Sequence, residues 1–579
     1  MGLRRELVLC GMVVSMDATK MGLADRIGYG RFLLFIAGMG GLLYGIDVGI
    51  ISAALLYLGK TISLSLEQTS MIVAAVLGGS MLSSLVAGFF ADLLGRKTMM
   101  IVSGLMFVAS VGLIVISHGF VPLFVGRLLQ GMSGGVIAVV VPLYLAEALS
   151  AEHRGSGSAV FQFMLTVGIV IASFAGLFYT HQAETAIAAA QGNADLIRAA
   201  QDHAWRGMFL SVVYPGLIFF FGSFFISETP RWLFRKGKME AALGSLRRSS
   251  SETEAQRQLS EMMTLSAEKT NSEAVKGGGT LLQRKYVVPF VLACLILGLN
   301  QATGINSILG YLVIILRQAG MTAQHATQGD LSVKVLNCLM TIVAVALVDR
   351  KGRKFLLMIG TGGIVIALAA AAFFFHSFEA KRTDVMPAVQ AQVRGNSVDV
   401  PLKTLMASRA ATDVPTSVTV LYTYGEGEKV ATALSDEGDG LLTIHPDAAA
   451  PNTPLVLKKA MYGAIPSERT GWIIALCVAL FIAAYSAGPG VVVWLALSEL
   501  MPTRIRSNGM GIALLINQGV STLIAGLFLP TVGNYGYAAM FGFWSVCTVL
   551  YFVIAVFFLP ETKGKTLEEI ELGFEKGAA

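Results

Sequence analysis

The chain has 579 residues, of which 54% are hydrophobic and only 14% charged, and its mean hydropathy is +0.67. A water-soluble chain of this length would form roughly three to five domains, each needing a charged surface, and there is too little charge to coat them. The composition argues against a disordered, collagenous or disulfide-scaffold protein. The net charge of +6 falls in short basic clusters between apolar runs, which argues against nucleic-acid binding and for a polytopic membrane protein.

Residues 1–31 read as a tail. Arg4 and Arg5 precede an apolar stretch too short for a signal sequence, Leu9 is a poor lipoprotein context before Cys10, and Met16 or Met21 could serve as starts. Runs long enough to cross a hydrocarbon layer follow near 32–58, 70–93, 98–117, 120–146, 156–180 and 205–227. A second set follows near 286–316, 330–348, 355–376, 471–497, 505–531 and 536–559. Runs of this length satisfy their backbone in lipid as helices, since barrel strands would be about half as long and alternate in polarity. The expected fold is an all-α membrane protein of twelve transmembrane helices in two six-helix bundles, 32–227 and 286–559.

Lys and Arg in the short connections set the orientation. Arg96, Lys97, Arg154, the cluster Arg350, Lys351, Arg353 and Lys354, and then Arg504 and Arg506 share one side, read as cytoplasmic, with both termini and the 560–579 tail. The charged connection 228–285 reads as a cytoplasmic helical linker with a hinge at Gly277 to Gly279. On the other side, 377–470 is a polar external insert with β-type alternation over Thr416 to Tyr424 and turn signals at Gly425, Gly427 and Gly438. It divides the second bundle into 286–376 and 471–559.

The two halves repeat. Asp92, Gly95, Arg96 and Lys97 recur as Asp349, Gly352, Arg353 and Lys354, while Glu147 with Arg154 recurs as Glu499 with Arg506 at an offset larger by almost the length of the insert. Repeated halves around a central site are typical of secondary transporters.

Ionisable residues inside spans are costly and carry a functional hypothesis. Asp47 in the first span and Arg127 in the fourth fall at similar depth. Burial favours a neutral carboxyl and a nearby guanidinium an ionised one, so the two form either a proton switch or a fixed structural pair. Lys334, close to the start of the eighth span, reads as snorkelling to the surface. The seventh span is interrupted by Asn300, Gln301, Thr303, Gly304 and Asn306, and Gly304 is the repeat mate of Asp47. Gln162, Asn337, Asn517 and Gln518 extend the polar set, and Trp494 with Tyr485 could face a ring. Amides carry donors and acceptors and suit a ligand rich in hydroxyls, or else they bond helices to one another. Gly488, Pro489 and Gly490 predict a bend in the tenth span. The pairs Asp92 with Arg96, Glu147 with Arg154, Glu228 with Arg231, Asp349 with Arg353 and Glu499 with Arg506 form either an inner gate network or topology markers.

None of the five cysteines has metal-site spacing, and the Gly-Lys-Thr triplets at Gly59 and Gly564 lack the earlier glycine of a phosphate loop. No enzyme activity, cofactor or metal is expected.

The ordered segments GLLYGID, ADLLGRK, PLYLAEALSAEHRG, SETPRW, NQATGIN, VDRKGRK, SELMPTRIRSNG and PETKGKTLEEI resemble those of the sugar porter family of the major facilitator superfamily, over nearly the whole chain except the termini and the insert. The resemblance implies proton symport of a sugar or polyol, with Asp47 where symporters carry Asp and passive facilitators Asn, and Arg127 as its partner. It implies ligand contact at Gln162, Gln301, Asn306, Asn337, Gly490, Trp494 and Asn517. Asn300 replaces a usual Gln, Gly310 a common Tyr, and Gln518 a frequent Trp, which leaves hexoses, inositol, other polyols and modified sugars open. A passive facilitator and a non-transporting sensor are the alternative readings. Protons, the bilayer and a small sugar or polyol are the expected partners of a monomer, with no nucleic acid.

Overall fold

The computed structural model describes residues 23–149, 154–272, 284–402, 415–425, 427–435, 441–446, 453–501, 506–561 and 574. The hinge expected at Gly277 to Gly279 and most of both tails lie outside them. Among the described residues, twelve helical stretches are long and apolar enough to cross a membrane: Gly28–Thr61, Leu66–Leu94, Arg96–Val115, Phe120–Ala148, Val160–Ala189, Ala194–Phe225, Tyr286–Gln318, Ala323–Leu347, Arg353–Glu379, Glu468–Trp494, Gly509–Tyr535 and Tyr537–Phe557. These are the first to twelfth spans.

The helices outrun their apolar cores where polar residues can still be solvated. The fifth span continues to Ala189 and the sixth begins at Ala194, well beyond the apolar limits near 180 and 205. Between them Asn193 accepts from the amides of Asp195 and Leu196, so the sixth helix starts on a side-chain cap. Ser65 and Gln68 make a reciprocal capping box at the start of the second span.

Two spans are broken. The seventh runs as Arg284–Ala302 and Ile305–Gln318, joined at Gly304 with φ of 83°, and a Cβ there would lie 2.4 Å from the Trp544 ring. Only glycine serves both demands. The tenth runs as Glu468–Ala487 and Pro489–Leu500 about Gly488, as the Gly-Pro-Gly triplet predicts.

After the sixth span come three short amphipathic helices, Pro230–Arg235, Met239–Ser249 and Glu252–Ser272. After the ninth comes a small β-rich unit. Its strands are β1 Thr383–Asp384, β2 Val393–Arg394, β3 Ser397–Pro401, β4 Thr416–Thr423, β5 Glu428–Leu434, β6 Leu441–Ile444 and β7 Val456–Ala464. They form two antiparallel sheets ordered β1-β7-β4-β5 and β2-β3-β6. Alternate residues such as Val398, Val400, Val418, Val420, Leu442 and Ile444 point into a separate apolar core.

This unit sits against the bundles. The Glu67 carboxylate, at the start of the second span, accepts from the Glu428 amide at 3.0 Å. The Glu428 carboxylate accepts from Asn534 of the eleventh span at 3.0 Å and from Lys458 at 2.6 Å. The end of the molecule bearing the unit is called the insert face, and the end bearing the Gly-Arg-Lys turns the basic-loop face.

Candidate functional site

Asp47 and Arg127 meet. Arg127 Nη1 donates to Asp47 Oδ1 at 3.1 Å, and both side chains are 1% exposed. The same nitrogen reaches Gln130 Oε1 at 2.7 Å, and the guanidinium lies over the Phe209 ring, 5.6 Å from its centroid. Asp47 Oδ2 is buried without a hydrogen-bond partner. A proton landing there would cancel the charge that holds Arg127, and Arg127 would still keep Gln130 and the ring as partners. The geometry permits a switch with a supported cation in both states.

The amides gather in the second half of the molecule. Gln301 Nε2 donates to Asn517 Oδ1 at 3.2 Å, and Asn306 Nδ2 donates to Gln301 Oε1 at 3.0 Å and to Ser521 Oγ at 2.8 Å. Asn517 donates to the Leu297 carbonyl, which fixes its orientation across the break in the seventh span. Asn300 Nδ2 donates to Tyr485 Oη at 3.1 Å, while Asn300 Oδ1 is buried without a partner. Asn337 accepts from Ser486 beside the break in the tenth span. These groups, from the seventh, eighth, tenth and eleventh spans, are joined by neutral bonds that hydroxyls could replace one for one. Gly490 packs against the Tyr485 ring, whose Cε1 lies 3.2 Å from a Cβ built there. Gln162 is exposed and Trp494 is 43% exposed.

Sequence reasoning missed the group that connects the two sites. The buried Tyr44 hydroxyl lies near Ser80 and Gln518, and its ring comes within 3.1 Å of a Cβ built on Gly134, the point from which Asp47 Oδ2 is 3.5 Å away. Tyr44 thus stands beside the acid and touches the edge of the amide cluster. Its place one turn before Asp47 in GLLYGID was the available signal.

Lys334 corrects the sequence reading. It does not snorkel: its side chain is 0% exposed and its Nζ lies 2.9 Å from Asp330 Oδ1. Asp330 fell at the boundary of the predicted eighth span, whereas the helix starts seven positions earlier, at Ala323, and carries both residues inside the bundle.

At the basic-loop face the charges form one cluster in each half. In the first, Arg96 pairs with Asp92 at 2.7 Å and Glu147 at 2.9 Å, and Arg235 reaches the same two carboxylates at 3.3 and 3.0 Å. In the second, Arg353 pairs with Glu499 at 3.0 Å. The side chains of Arg154, Asp349 and Arg506 lie outside the described ones. Glu228 accepts from the backbone amides of Arg96 and Lys97, and Glu561 accepts from those of Arg353 and Lys354. Each carboxylate closes over a glycine, Gly95 with φ of 101° or Gly352 with φ of 89°, where a Cβ would lie 2.2 or 2.6 Å from its oxygen. Arg235 and Glu561 were not singled out from sequence, although Glu-Thr follows the last span of each half in SETPRW and PETKGK.

A recess of about 610 Å³ lies elsewhere, at the insert face between the ninth span and the junction of the eleventh and twelfth. It opens to the surface and shares no residue with either cluster.

The family model described as "Sugar (and other) transporter" matches residues 33–390 and 455–574, leaving out most of the β-rich unit. The glucose transporter GlcP of Staphylococcus epidermidis is 27% identical over 93% of this chain and 96% of its own length. The probable inositol transporter 2 of Arabidopsis thaliana is 28% identical over 94% and 91%. Among solved structures, a D-xylose–proton symporter superposes with a TM-score of 0.62 at 19% identity, covering 93% of this chain and all of that one, and so shares the fold. The chain belongs to the sugar transporter family and is a multi-pass membrane protein of the major facilitator fold.

Proposed function

From that membership, we propose that this protein imports a sugar or polyol together with a proton by alternating access. The observation that carries the reading is the buried Asp47–Arg127 pair, with one carboxylate oxygen unpartnered and Tyr44 standing beside it. A passive carrier has no use for a titratable acid in lipid, where an unbalanced charge is expensive. The basic connections place the basic-loop face and both termini in the cytoplasm, and the β-rich unit outside. The protein works as a monomer, since one chain supplies both halves of the site.

In the cycle, external protonation of Asp47 releases Arg127 toward Gln130. Sugar hydroxyls replace the mutual bonds of Asn300, Gln301, Asn306, Asn337 and Asn517, and the broken seventh and tenth spans bend to enclose the ligand, with Tyr485, Gly490, Trp494, Gln162 and Gln518 at its edge. Inward opening then admits cytoplasmic water, and Asp47 ionises and recovers Arg127. The clusters of Asp92, Arg96, Glu147, Glu228, Arg231 and Arg235 in one half and Arg353, Glu499 and Glu561 in the other stand at the inner gate. Closing it requires bringing the two clusters together. Relatives named as transporters of glucose and inositol and as a D-xylose–proton symporter support the substrate class.

The test is a panel of pentoses, hexoses and polyols in proteoliposomes, with and without an imposed inward proton gradient. Gradient-stimulated accumulation of one panel member is the expected result. Binding without flux would favour a sensor, and gradient-independent equilibration would favour a facilitator.

A further inference from the structure

The mechanism above leaves unused a second buried ion pair, Asp330–Lys334, one helical turn apart on the eighth span, and its partners are on the other half of the molecule. Asp330 Oδ1 accepts from Ser52 of the first span at 3.1 Å, and Oδ2 accepts from Ser173 of the fifth at 2.8 Å. Lys334 Nζ donates to the Gly49 carbonyl of the first span at 3.1 Å as well as to Asp330. Ser52 Oγ in turn accepts from the Val313 amide of the seventh span at 3.1 Å. Asp330 lies about 10 Å along its helix from the insert face.

A pair needed only to neutralise charge within one helix would require none of these bonds. Here both buried ionic groups are also bonded by donors or acceptors from the opposite half, where the low dielectric strengthens each bond. The hydrogen bonds described between the halves lie at mid-depth or nearer the insert face, as with Leu529 N to Ser70 and Thr166 to Cys338. The ion pairs described at the basic-loop face each join residues of one half. The molecule is therefore held shut at the insert face, and these are the charge-assisted bonds, stronger than neutral ones, that hold the membrane part of it.

We infer that Asp330 and Lys334 form a state-specific latch. They dock on Ser52, Ser173 and Gly49 when the insert face is closed and must leave them when it opens, so they set the resting balance between the two access states. Asp330 and Lys334 are positioning residues. The landing site, Gly49 to Ser52, begins two residues after Asp47, so the helix that carries the proposed proton acceptor also receives the latch. The inference rests on the alternating-access reading, but its test needs neither a substrate nor a proton gradient.

Ala326 lies one turn before Asp330 on the same face and is fully buried. Ala326→Cys, in a full-length chain with the native cysteines replaced, reports opening of the insert face to a membrane-impermeant maleimide added from that side. Ser52→Ala with Ser173→Ala removes two docking bonds and leaves the ion pair intact. Labelling should accelerate by about tenfold or more, the scale of losing hydrogen bonds to a charged group. Asp330→Asn with Lys334→Met, which removes both charges together, should do the same. Each single serine variant offers a gentler change should a double variant fold poorly, with a smaller acceleration in the same direction. Unchanged labelling with a lowered melting temperature would make the pair a structural rivet and overturn the inference, as would slower labelling.

Discussion

Replacing Asp47 with asparagine removes the titratable group while preserving its shape. The wild-type pair is 3.1 Å apart and 1% exposed on each side, so the carboxylate cannot be replaced by water. An inward gradient of one pH unit supplies about 1.4 kcal/mol per proton and 100 mV of membrane potential about 2.3 kcal/mol. For one proton per sugar the sum supports an accumulation of roughly 500-fold, whereas a carrier cut off from protons stops at unity. Asp47→Asn should therefore abolish concentrative uptake of radiolabelled sugar in proteoliposomes. Counterflow exchange, which cycles only the loaded carrier, should persist. Removing one partner of a buried pair costs about 3–5 kcal/mol when the other is stranded. Here Gln130, 2.7 Å from Arg127, and the asparagine oxygen still accept from the guanidinium, so the variant should fold. Accumulation clearly above unity by Asp47→Asn would refute the coupling assignment. Loss of counterflow in a folded variant would instead make the pair structural.

Gly95→Ala and Gly352→Ala should each lower stability by about 1–3 kcal/mol, since both need positive φ and a Cβ would strike Glu228 or Glu561; thermal unfolding in detergent checks this. Asn306→Ala breaks bonds to Gln301 and Ser521 and should raise the sugar KM about tenfold with proton coupling intact, read as uptake against concentration at fixed pH. The bond from Lys458 holds the Glu428 carboxyl below the usual carboxylate range. Its contribution to docking the β-rich unit is then complete above the unfolded value near about 4.3 and lost as pH falls through the lower folded one. Protection factors over 428–434, which correct exchange for its intrinsic fall with pH, should therefore drop on acidification, and Glu428→Gln should lower them at neutral pH and remove that dependence.

Much of this was legible because lipid makes exceptions conspicuous. Asp47 and Arg127 stand out as charges in apolar runs, and the breaks at Gly304 and Gly488 follow from residues that cannot continue a helix. What the sequence hid was partnership across long separations. Lys334 looked like a snorkelling residue because Asp330 fell at the very start of the predicted span, although the spacing of four between acid and lysine was visible. Glu147 was matched with Arg154 by motif proximity, but the described geometry gives it Arg96 and Arg235 from other helices. Glu428 could not be tied to Glu67 or Asn534 by any local pattern, since the contacts arise only when the β-rich unit settles on two distant helices.

The two halves repeat their scaffolding but divide the chemistry. Each has a Gly-Arg-Lys turn whose amides are held by a carboxylate, Glu228 in one and Glu561 in the other, so the repeat is preserved where rigid bodies need firm ends. The intramembrane acid and its arginine lie in the first half and the joined amides in the second, so neither half can couple proton to ligand alone. Coupling has to cross the interface, and the described crossings include Thr166 to Cys338, Leu529 to Ser70, Val313 to Ser52, and the bonds of Asp330 and Lys334 to the first and fifth spans nearer the insert face. Several of these converge on Gly49 to Ser52 of the first span, within two helical turns of Asp47. If Asp47 is the proton acceptor proposed above, its protonation acts within two helical turns of the stretch that the other half grips, so a local change of charge would bear directly on the contact between the halves.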